Sequence, residues 1–201
     1  MRNIGPVIIG ALMLLALAAG AFLFLGGEEQ GVIRTDLGEI VIEFYPGEAP
    51  NHVENWIELA RQGFYDGTTF HRVVPGFVIQ GGDPLSKDDD PYNDGLGGPG
   101  WNVNEEFNDI PHEQGIVSMA RSGENVNSAG SQFFICLDRL PYLDRQYTVF
   151  GRVVEGMDVV DAIKARPRVP DDPDRPIQPV VMREVTVRTA YRVPFYGTFY
   201  L

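Results

Sequence analysis

Short apolar runs separated by glycine and proline dominate most of the chain. Residues 32–35 and 39–45 are two β-prone runs on either side of Asp36-Leu37-Gly38, a pattern that predicts a β-hairpin with a glycine turn. Further runs of strand length follow at residues 70–74, 77–80, 115–120, 133–137, 148–154 and 180–187. Many short strands with glycine-rich breaks predict a mainly-β domain.

Two segments instead carry apolar residues at helical spacing. In the first, apolar positions recur every three or four residues from Pro50 until Gly63, which ends the helix. Residues 157–165 repeat the pattern, and a polar, proline-rich loop follows at 167–179. Strands combined with two helices far apart in sequence predict a closed antiparallel barrel plugged by the helices.

The first 26 residues have a different character. Residues 4–25 are 22 consecutive residues without a charge, long enough to span a bilayer as a helix. Arg2 precedes this run, so the positive-inside tendency leaves the N-terminus in the cytoplasm and exports the rest. The alternative is a signal peptide cleaved near Ala19-Gly20-Ala21, which would release a secreted domain.

Four regions follow from these patterns. We predict a signal-anchor or transmembrane segment at 1–26, a linker at 27–30, a globular domain at 31–187 and an aromatic C-terminal extension at 188–201. The extension either packs on the outside of the domain or lies at the membrane interface, where tyrosine rings partition well. Residues 84–104 form a long acidic, glycine-rich loop that either screens substrates or is simply solvated; we favour the solvated alternative.

Composition narrows the classes of function. The 201 residues include 16 basic and 28 acidic side chains, a net charge of −12, so nucleic acid is an unexpected partner. A single cysteine excludes an internal disulfide framework. Cys136 lies in an apolar run, where we expect its thiol to stay protonated and inert.

Familiar catalytic and metal-binding patterns are missing. The histidines His52, His71 and His112 do not have metal-ligand spacing, and the acidic run 88–90 does not fit a calcium loop. No serine lies in a GxSxG motif. We therefore predict neither a metal site nor a cofactor.

One segment is unusual for a packed strand. In FHRVVPGFVIQGGD, residues 70–83, the polar residues Arg72 and Gln80 are embedded in apolar runs. Residues at a sheet edge whose polar heads reach water would explain them equally well.

This segment resembles the signature of the cyclophilins, the cyclosporin-type peptidyl-prolyl cis-trans isomerases. Further similar motifs follow in the family's order: SMAR at 118–121, GSQFFI at 130–135, Leu143-Asp144 and YTVFG at 147–151. The resemblance covers about residues 31–187. It implies an eight-stranded antiparallel barrel capped by two α-helices, and isomerase activity of the class EC 5.2.1.8.

The resemblance also implies roles for individual residues. The expected catalytic residues are Arg72, Phe77 and Gln80. The expected substrate-binding residues are His71, Val78, Ala120, Arg121, Gln132, Phe134, Tyr142, Leu143 and Tyr147. Among these, Phe77, Val78, Phe134 and Leu143 correspond to the pocket for the substrate proline.

Such residue types suit rotation about an amide. Rotation breaks amide resonance against a barrier of about 20 kcal/mol and needs no nucleophile. An apolar pocket can hold the proline ring while a guanidinium such as Arg72 stabilises the twisted amide. Because arginine does not titrate near neutrality, we expect activity to be nearly flat between about pH 6 and 9.

Three positions depart from the best-known family pattern. Val78 stands where methionine is usual, Tyr142 where many members have tryptophan, and Tyr147 where histidine is common. These replacements resemble the bacterial branch. The missing indole N–H at position 142 predicts weak cyclosporin binding.

The leading hypothesis is a membrane-anchored isomerase that accelerates the folding of exported proteins. Its partners would be proline-containing segments of unfolded or extended chains, and the domain itself is expected to be monomeric. The alternative is a binding module that holds such segments without catalysing their isomerisation. The presence of Arg72 favours catalysis, because a binder needs only the apolar pocket.

Overall fold

The computed structural model describes residues 27–193 and 197–200. These residues belong to two compact units: Gln30–Arg188, and a second that contains residues 27–29 and those from Thr189 onward. The predicted membrane helix at 4–25 lies outside the described residues. Within the described ranges, no helix is long and apolar enough to cross a membrane.

The elements follow the predicted alternation of strands with two helices. The strands are β1 (Glu28–Thr35), β2 (Gly38–Phe44), β3 (Thr69–Phe70), β4 (Arg72–Val74), β5 (Val78–Gly81), β6 (Ile116–Met119), β7 (Phe133–Cys136), β8 (Val149–Glu155), β9 (Arg168–Val169), β10 (Asp172–Pro176), β11 (Val180–Val181), β12 (Glu184–Val193) and β13 (Gly197–Tyr200). The helices are α1 (Pro50–Arg61) and α2 (Met157–Lys164). Short 3-10 turns lie at Pro84–Lys87 and Pro141–Leu143.

The predicted hairpin is confirmed in β1 and β2. These strands pair antiparallel from Gln30↔Glu43 to Thr35↔Gly38. Gly38 has a φ of +132°, which a side chain rarely adopts. The Thr35 hydroxyl donates to the Gly38 carbonyl at 2.9 Å and accepts from the Leu37 N–H at 3.0 Å, closing the turn.

The sheet is open where a closed barrel was predicted, so that prediction is wrong for the described residues. In the larger unit one sheet has the strand order β12-β1-β2-β8-β6-β7-β5-β4, and β3 with β11 forms a separate two-stranded sheet. The ladder is interrupted at Met182, whose N–H donates to the Thr68 carbonyl, and at Arg183, whose N–H donates to the Arg34 carbonyl. Because these backbone groups switch partners, the predicted last strand, 180–187, divides into β11 and β12.

Apolar side chains form two separate clusters on the faces of this sheet. The first, which we call the main core, includes Trp56 of α1 and Val160 of α2. The second, which we call the second cluster, has seven buried members and several partly buried ones. Its buried residues are Val78, Ile116, Phe134, Cys136, Leu140, Leu143 and Val149.

The proline-rich segment after α2 is not the loop that its composition predicts. Its strands β9 and β10 pair antiparallel, with the partners Asp172↔Val169 and Pro176↔Arg168. The register shifts between these two pairs, so the pairing within β10 is irregular. Prolines favour loops locally, but β10 packs beside β4 of the main sheet, which accounts for ordered strands in this segment.

The second unit contains a short hairpin. Residues 190–193 of β12 pair antiparallel with β13, from Ala190↔Tyr200 to Val193↔Gly197. The aromatic extension thus continues as strands on both sides of residues 194–196, which lie outside the described residues. Its two predicted locations, on the domain or at a membrane, stay predictions.

Candidate active site

Two predicted catalytic residues, Arg72 and Gln80, stand in one row with the predicted substrate-binding residue Phe134. Arg72 of β4 pairs with Gln80 of β5, Gln80 pairs with Phe134 of β7, and Phe134 pairs with Ser118 of β6. Directly paired residues share a face of the sheet, because side chains alternate along each strand. The register therefore brings together residues that are up to 62 positions apart in sequence (134 − 72).

The turn between β4 and β5 places an aromatic ring beside the arginine. Gly76 has a φ of +77°, and the Phe77 N–H donates to the Val74 carbonyl at 2.9 Å. The Arg72 guanidinium carbon lies 5.5 Å from the centre of the Phe77 ring, within the range of a cation–π interaction. The Phe77 ring thus packs against the guanidinium of Arg72.

A chain of hydrogen bonds leads from Arg72 to two glutamines. Arg72 Nη1 donates to Gln80 Oε1 at 3.4 Å, and Gln80 Nε2 donates to Gln132 Oε1 at 3.0 Å. Gln132 Nε2 in turn donates to the Gly97 carbonyl at 2.9 Å. Each amide both donates and accepts, so the orientation of Gln80 is fixed with its oxygen toward the guanidinium.

The residues expected to form the proline pocket all belong to the second cluster or pack on it. They are Phe77, Val78, Phe134 and Leu143. Tyr142 is 66% exposed and stacks on Phe77 with ring centres 6.1 Å apart, while Tyr147 meets Phe134 edge-on at 5.5 Å. These contacts leave the partly exposed rings of Phe77, Tyr142 and Tyr147 at the edge of the second cluster, and we call this apolar surface next to Arg72 the recess.

A hydrogen-bonded triad of side chains next to Phe134 was not predicted. Its members are His112, Ser118 and Asp144. His112 Nε2 lies 2.9 Å from Ser118 Oγ, and Nδ1 lies 3.1 Å from Asp144 Oδ1. The His112 ring stacks on Phe134 at 6.1 Å between centres. Burial lowers the pKa of His112, so the ring is a neutral support for Phe134 at pH 7.

Asp144, the carboxylate of that triad, is stabilised in its charged form. Arg139 donates to Asp144, and with the N–H of His112 this holds the Asp144 pKa at about 2. Asp144 stands inside one of the cyclophilin-like motifs, but its partner His112 lies 32 positions away. Sequence spacing does not predict the triad, because the contact between His112 and Asp144 depends on the tertiary fold.

Ala120 and Arg121 border a groove on the far side of the glutamines. Arg121 Nε donates to the Gln146 carbonyl at 3.0 Å, and its guanidinium lies 4.6 Å from the centre of the Tyr147 ring. The groove has a volume of about 490 Å³. Its lining includes Gln80, Gly97, Trp101, Ala120, Arg121 and Gln132.

The acidic loop supplies one wall of that groove. Asp83 is fully buried, and its carboxylate accepts hydrogen bonds from the N–H groups of Leu85, Gly95 and Gly97. These hydrogen bonds hold the loop so that residues 95–102 line the groove, whereas Tyr92 is exposed. Leu96 and Trp101 remain 78% and 50% exposed, so the choice between a solvated loop and a substrate screen stays a prediction.

His71, a predicted substrate-binding residue, and Cys136, the single cysteine, are both buried. His71 is only 6% exposed, and burial lowers its pKa, so it lies under the site rather than at the rim with Arg121. Cys136 is fully buried, and burial raises the pKa of its thiol to about 12. This direction agrees with the prediction that the thiol stays protonated.

The described residues include no group of three or more His, Cys, Asp or Glu side chains placed to hold a metal ion.

An acidic residue on the proline-rich hairpin contacts the arginine directly. Asp174 Oδ2 accepts from Arg72 Nε at 3.2 Å and from Nη2 at 3.1 Å. Nothing in the local sequence indicates this pairing, because the two residues are 102 positions apart and β10 was not predicted as a strand.

Residues 32–187 match the family model of the cyclophilin type peptidyl-prolyl cis-trans isomerases. The chain belongs to this family. It is an enzyme that isomerises peptidyl-prolyl bonds (EC 5.2.1.8), as its cyclophilin-like motifs implied.

Individual relatives agree with this assignment. A peptidyl-prolyl cis-trans isomerase of Synechococcus elongatus is 43% identical over 142 residues, which cover 70% of this chain and 92% of the relative. One of Helicobacter pylori is 44% identical over 136 residues, covering 66% and 78%. A Cryptosporidium parvum cyclophilin, solved in the presence of the dipeptide Ala-Pro, superposes with a TM-score of 0.71 at 29% identity, covering 79% of this chain and 98% of that one.

Proposed function

We propose that this isomerase rotates X-Pro bonds in the recess between Phe77 and Phe134, with Arg72 as the group that stabilises the twisted amide. The observation that carries the proposal is the row formed by Arg72, Gln80 and Phe134, which sets a guanidinium beside an apolar surface. The Ala-Pro dipeptide present with the Cryptosporidium parvum cyclophilin supports a proline-containing ligand.

The energetic requirement is to favour the twisted amide over both planar forms. In the twisted state the amide loses resonance, and its nitrogen gains a lone pair that can accept a hydrogen bond. Only interactions stronger in that state raise the rate, and each tenfold gain needs about 1.4 kcal/mol of differential binding. No bond to the protein forms, so no nucleophile is required.

The apolar recess serves to hold the proline ring still. Val78, Phe134 and Leu143 are buried and form its base, and Phe77 is partly exposed at its edge. With the ring fixed, rotation takes place on the carbonyl side of the bond. The glutamines of the hydrogen-bond chain, Gln80 and Gln132, lie beyond the arginine, where substrate backbone can reach them.

Arg72 supplies the charge that acts on the twisted state. Its side chain is 37% exposed, so it can reach a bound peptide. Gln80 and the Phe77 ring restrict its movement, and a donor fixed before the reaction costs no reorganisation during it.

A wider role rests on the N-terminal sequence. We propose that the uncharged run 4–25 anchors the domain outside the cytoplasm, where it accelerates the folding of exported proteins; cleavage near Ala19-Gly20-Ala21 would give a secreted form. The full chain should then sediment with membranes, and a chain beginning at Gly27 should not. Equal distribution of the two would reject the anchor.

Cyclosporin binding should be weak. Tyr142 has no indole N–H, and Val78 gives a shorter, stiffer wall than methionine. These replacements resemble the bacterial branch of the family. Nanomolar inhibition by cyclosporin would reject this part of the proposal.

The decisive experiment measures isomerisation of a short X-Pro peptide by the full chain and by Arg72→Ala. We expect a loss of about 100-fold in kcat/KM, the size typical of removing one preorganised donor. Arg152→Ala is the matched control, because that arginine pairs with Glu43 on β2 and lies away from Phe77. If Arg72→Ala stays folded and retains activity within twofold, Arg72 does not have the proposed role.

A further inference from the structure

The Arg72 guanidinium is held on three sides in the structure. Asp174 accepts from Nε and Nη2, Gln80 accepts from Nη1, and the ring of Phe77 lies 5.5 Å away beneath the plane. An arginine has five N–H donors, and these contacts use three of them. The remaining donors stay available to a substrate.

Asp174 lies in a stretch of β10 that is not paired regularly with β9. The strand pairs with β9 at Asp172 and at Pro176, and the register shifts between them, where Asp174 lies. Here the carboxylate contacts β4, which carries Arg72, and not a residue of its own hairpin.

The hairpin has supports of its own that do not involve Asp174. The Ile177 N–H donates to the Pro167 carbonyl at 2.9 Å, and Arg175 Nε donates to Asp172 Oδ2 at 3.3 Å. Pro176 is buried. The fold of the hairpin is therefore not expected to depend on the Asp174 carboxylate, which is 44% exposed.

We propose that Asp174 is a positioning residue for the isomerase reaction, and this inference rests on the proposed role of Arg72. A long, partly exposed arginine side chain samples several rotamers when it is held only by Gln80 and Phe77. The carboxylate accepts from the Nε–Nη2 edge, and this charge-assisted pair selects the rotamer that points the free N–H groups at the recess. Asp174 itself does not touch the substrate.

A positioning role predicts a specific kinetic signature. Asp174→Ala should lower kcat about tenfold and leave KM within twofold, because the misplaced donor is missed mainly in the twisted state. Asp174→Asn keeps a neutral acceptor of the same shape and should lose only about threefold, since neutral hydrogen bonds are weaker than charge-assisted ones. The thermal midpoint of both variants should stay near that of the native chain.

The matched control is Asp172→Ala. Asp172 lies in the same strand, is 52% exposed and pairs with Arg175 instead of Arg72. All measurements use the full chain with a short X-Pro peptide. We expect Asp172→Ala to keep native kcat, and Asp174→Ala to add no further loss when combined with Arg72→Ala.

Several results would overturn the inference. They are native-like kcat in Asp174→Ala, higher activity in that variant (a carboxylate competing with the substrate), an equal loss in Asp172→Ala, or an additional loss in the Arg72→Ala background. If Asp174→Ala does not fold, native-like kcat in Asp174→Asn overturns it instead. Failure of the proposed function is separate, because it shows as native-like activity in Arg72→Ala alone.

Discussion

The main core and the second cluster draw on the same strands, yet only one of them is closed. Consecutive residues of β7 alternate between them: Phe133 and Ile135 join the main core, and Phe134 and Cys136 join the second cluster. In the main core, Phe133 meets Trp56 and Tyr65 edge-on, at 6.2 and 5.8 Å between ring centres.

The difference between the clusters arises from the helices. α1 and α2 contribute side chains to the main core, and neither contributes to the second cluster. The second cluster has no helical cover, and Phe77 and Tyr147 remain partly exposed at its edge. An apolar surface that the fold leaves partly open is available to a proline ring.

The largest expected effect contrasts the two neighbouring phenylalanines. Phe133→Ala should lower the free energy of unfolding by about 3–5 kcal/mol, because the cavity is enclosed. Phe134→Ala should cost less stability, since water from the open recess can fill the space, but should lower kcat/KM about 100-fold through loss of the pocket wall. Denaturant unfolding and peptide isomerisation measure the two effects.

This contrast fails if both variants lose stability and activity in the same proportion. In that case the two clusters behave as a single core, and the second cluster has no separate role in binding.

A smaller effect tests the polar edge of the second cluster. Gln80→Ala removes the acceptor for Arg72 Nη1 and the donor to Gln132, so kcat/KM should fall about tenfold, in line with the loss of a hydrogen bond to a charged group. Gln62→Ala is the control, because that glutamine bonds only to the nearby Glu58 on α1. A native rate in Gln80→Ala contradicts the proposed hydrogen-bond chain.

The smallest effect concerns pH and applies to both clusters. Burial lowers the pKa of His52, beside the main core, and of His71 and His112, below the site, from their ordinary 6.5. As the pH falls below about 6.5, the histidines of the unfolded chain therefore bind protons that the folded chain does not bind. The free energy of unfolding is unaffected by this linkage above that pH and decreases below it. The slope cannot exceed about 1.4 kcal/mol per pH unit for each histidine.

Thermal midpoints at pH 7.5, 6.5 and 5.5 test this expectation. Isomerase activity of the folded chain should stay nearly flat from pH 6.5 to 9, because arginine remains charged throughout. A midpoint that is unchanged down to pH 5.5, or a bell-shaped activity profile, contradicts it.

Much of the fold could be predicted because its signals are local. The turn at Gly38, the helical spacing after Pro50 and the apolar runs at 133–137 and 148–154 depend on neighbouring residues alone, and the structure confirms them. The prediction of a closed barrel was wrong because closure depends on hydrogen bonds between distant segments, such as those that the N–H groups of Met182 and Arg183 donate. The strands of the proline-rich segment were missed because packing beside β4 outweighs the local preference for a loop.

The sequence by itself determined the elements, the family motifs and the presence of Arg72, Gln80 and Phe134 in them. Only the tertiary structure decided which face of the sheet the helices cover, and so which apolar residues form a core and which a recess. It alone paired Arg72 with Asp174 and placed His112 under Phe134. The physical reason is that periodicity assigns side chains to faces, whereas contacts between distant segments depend on strand order, register and the path of the chain between them.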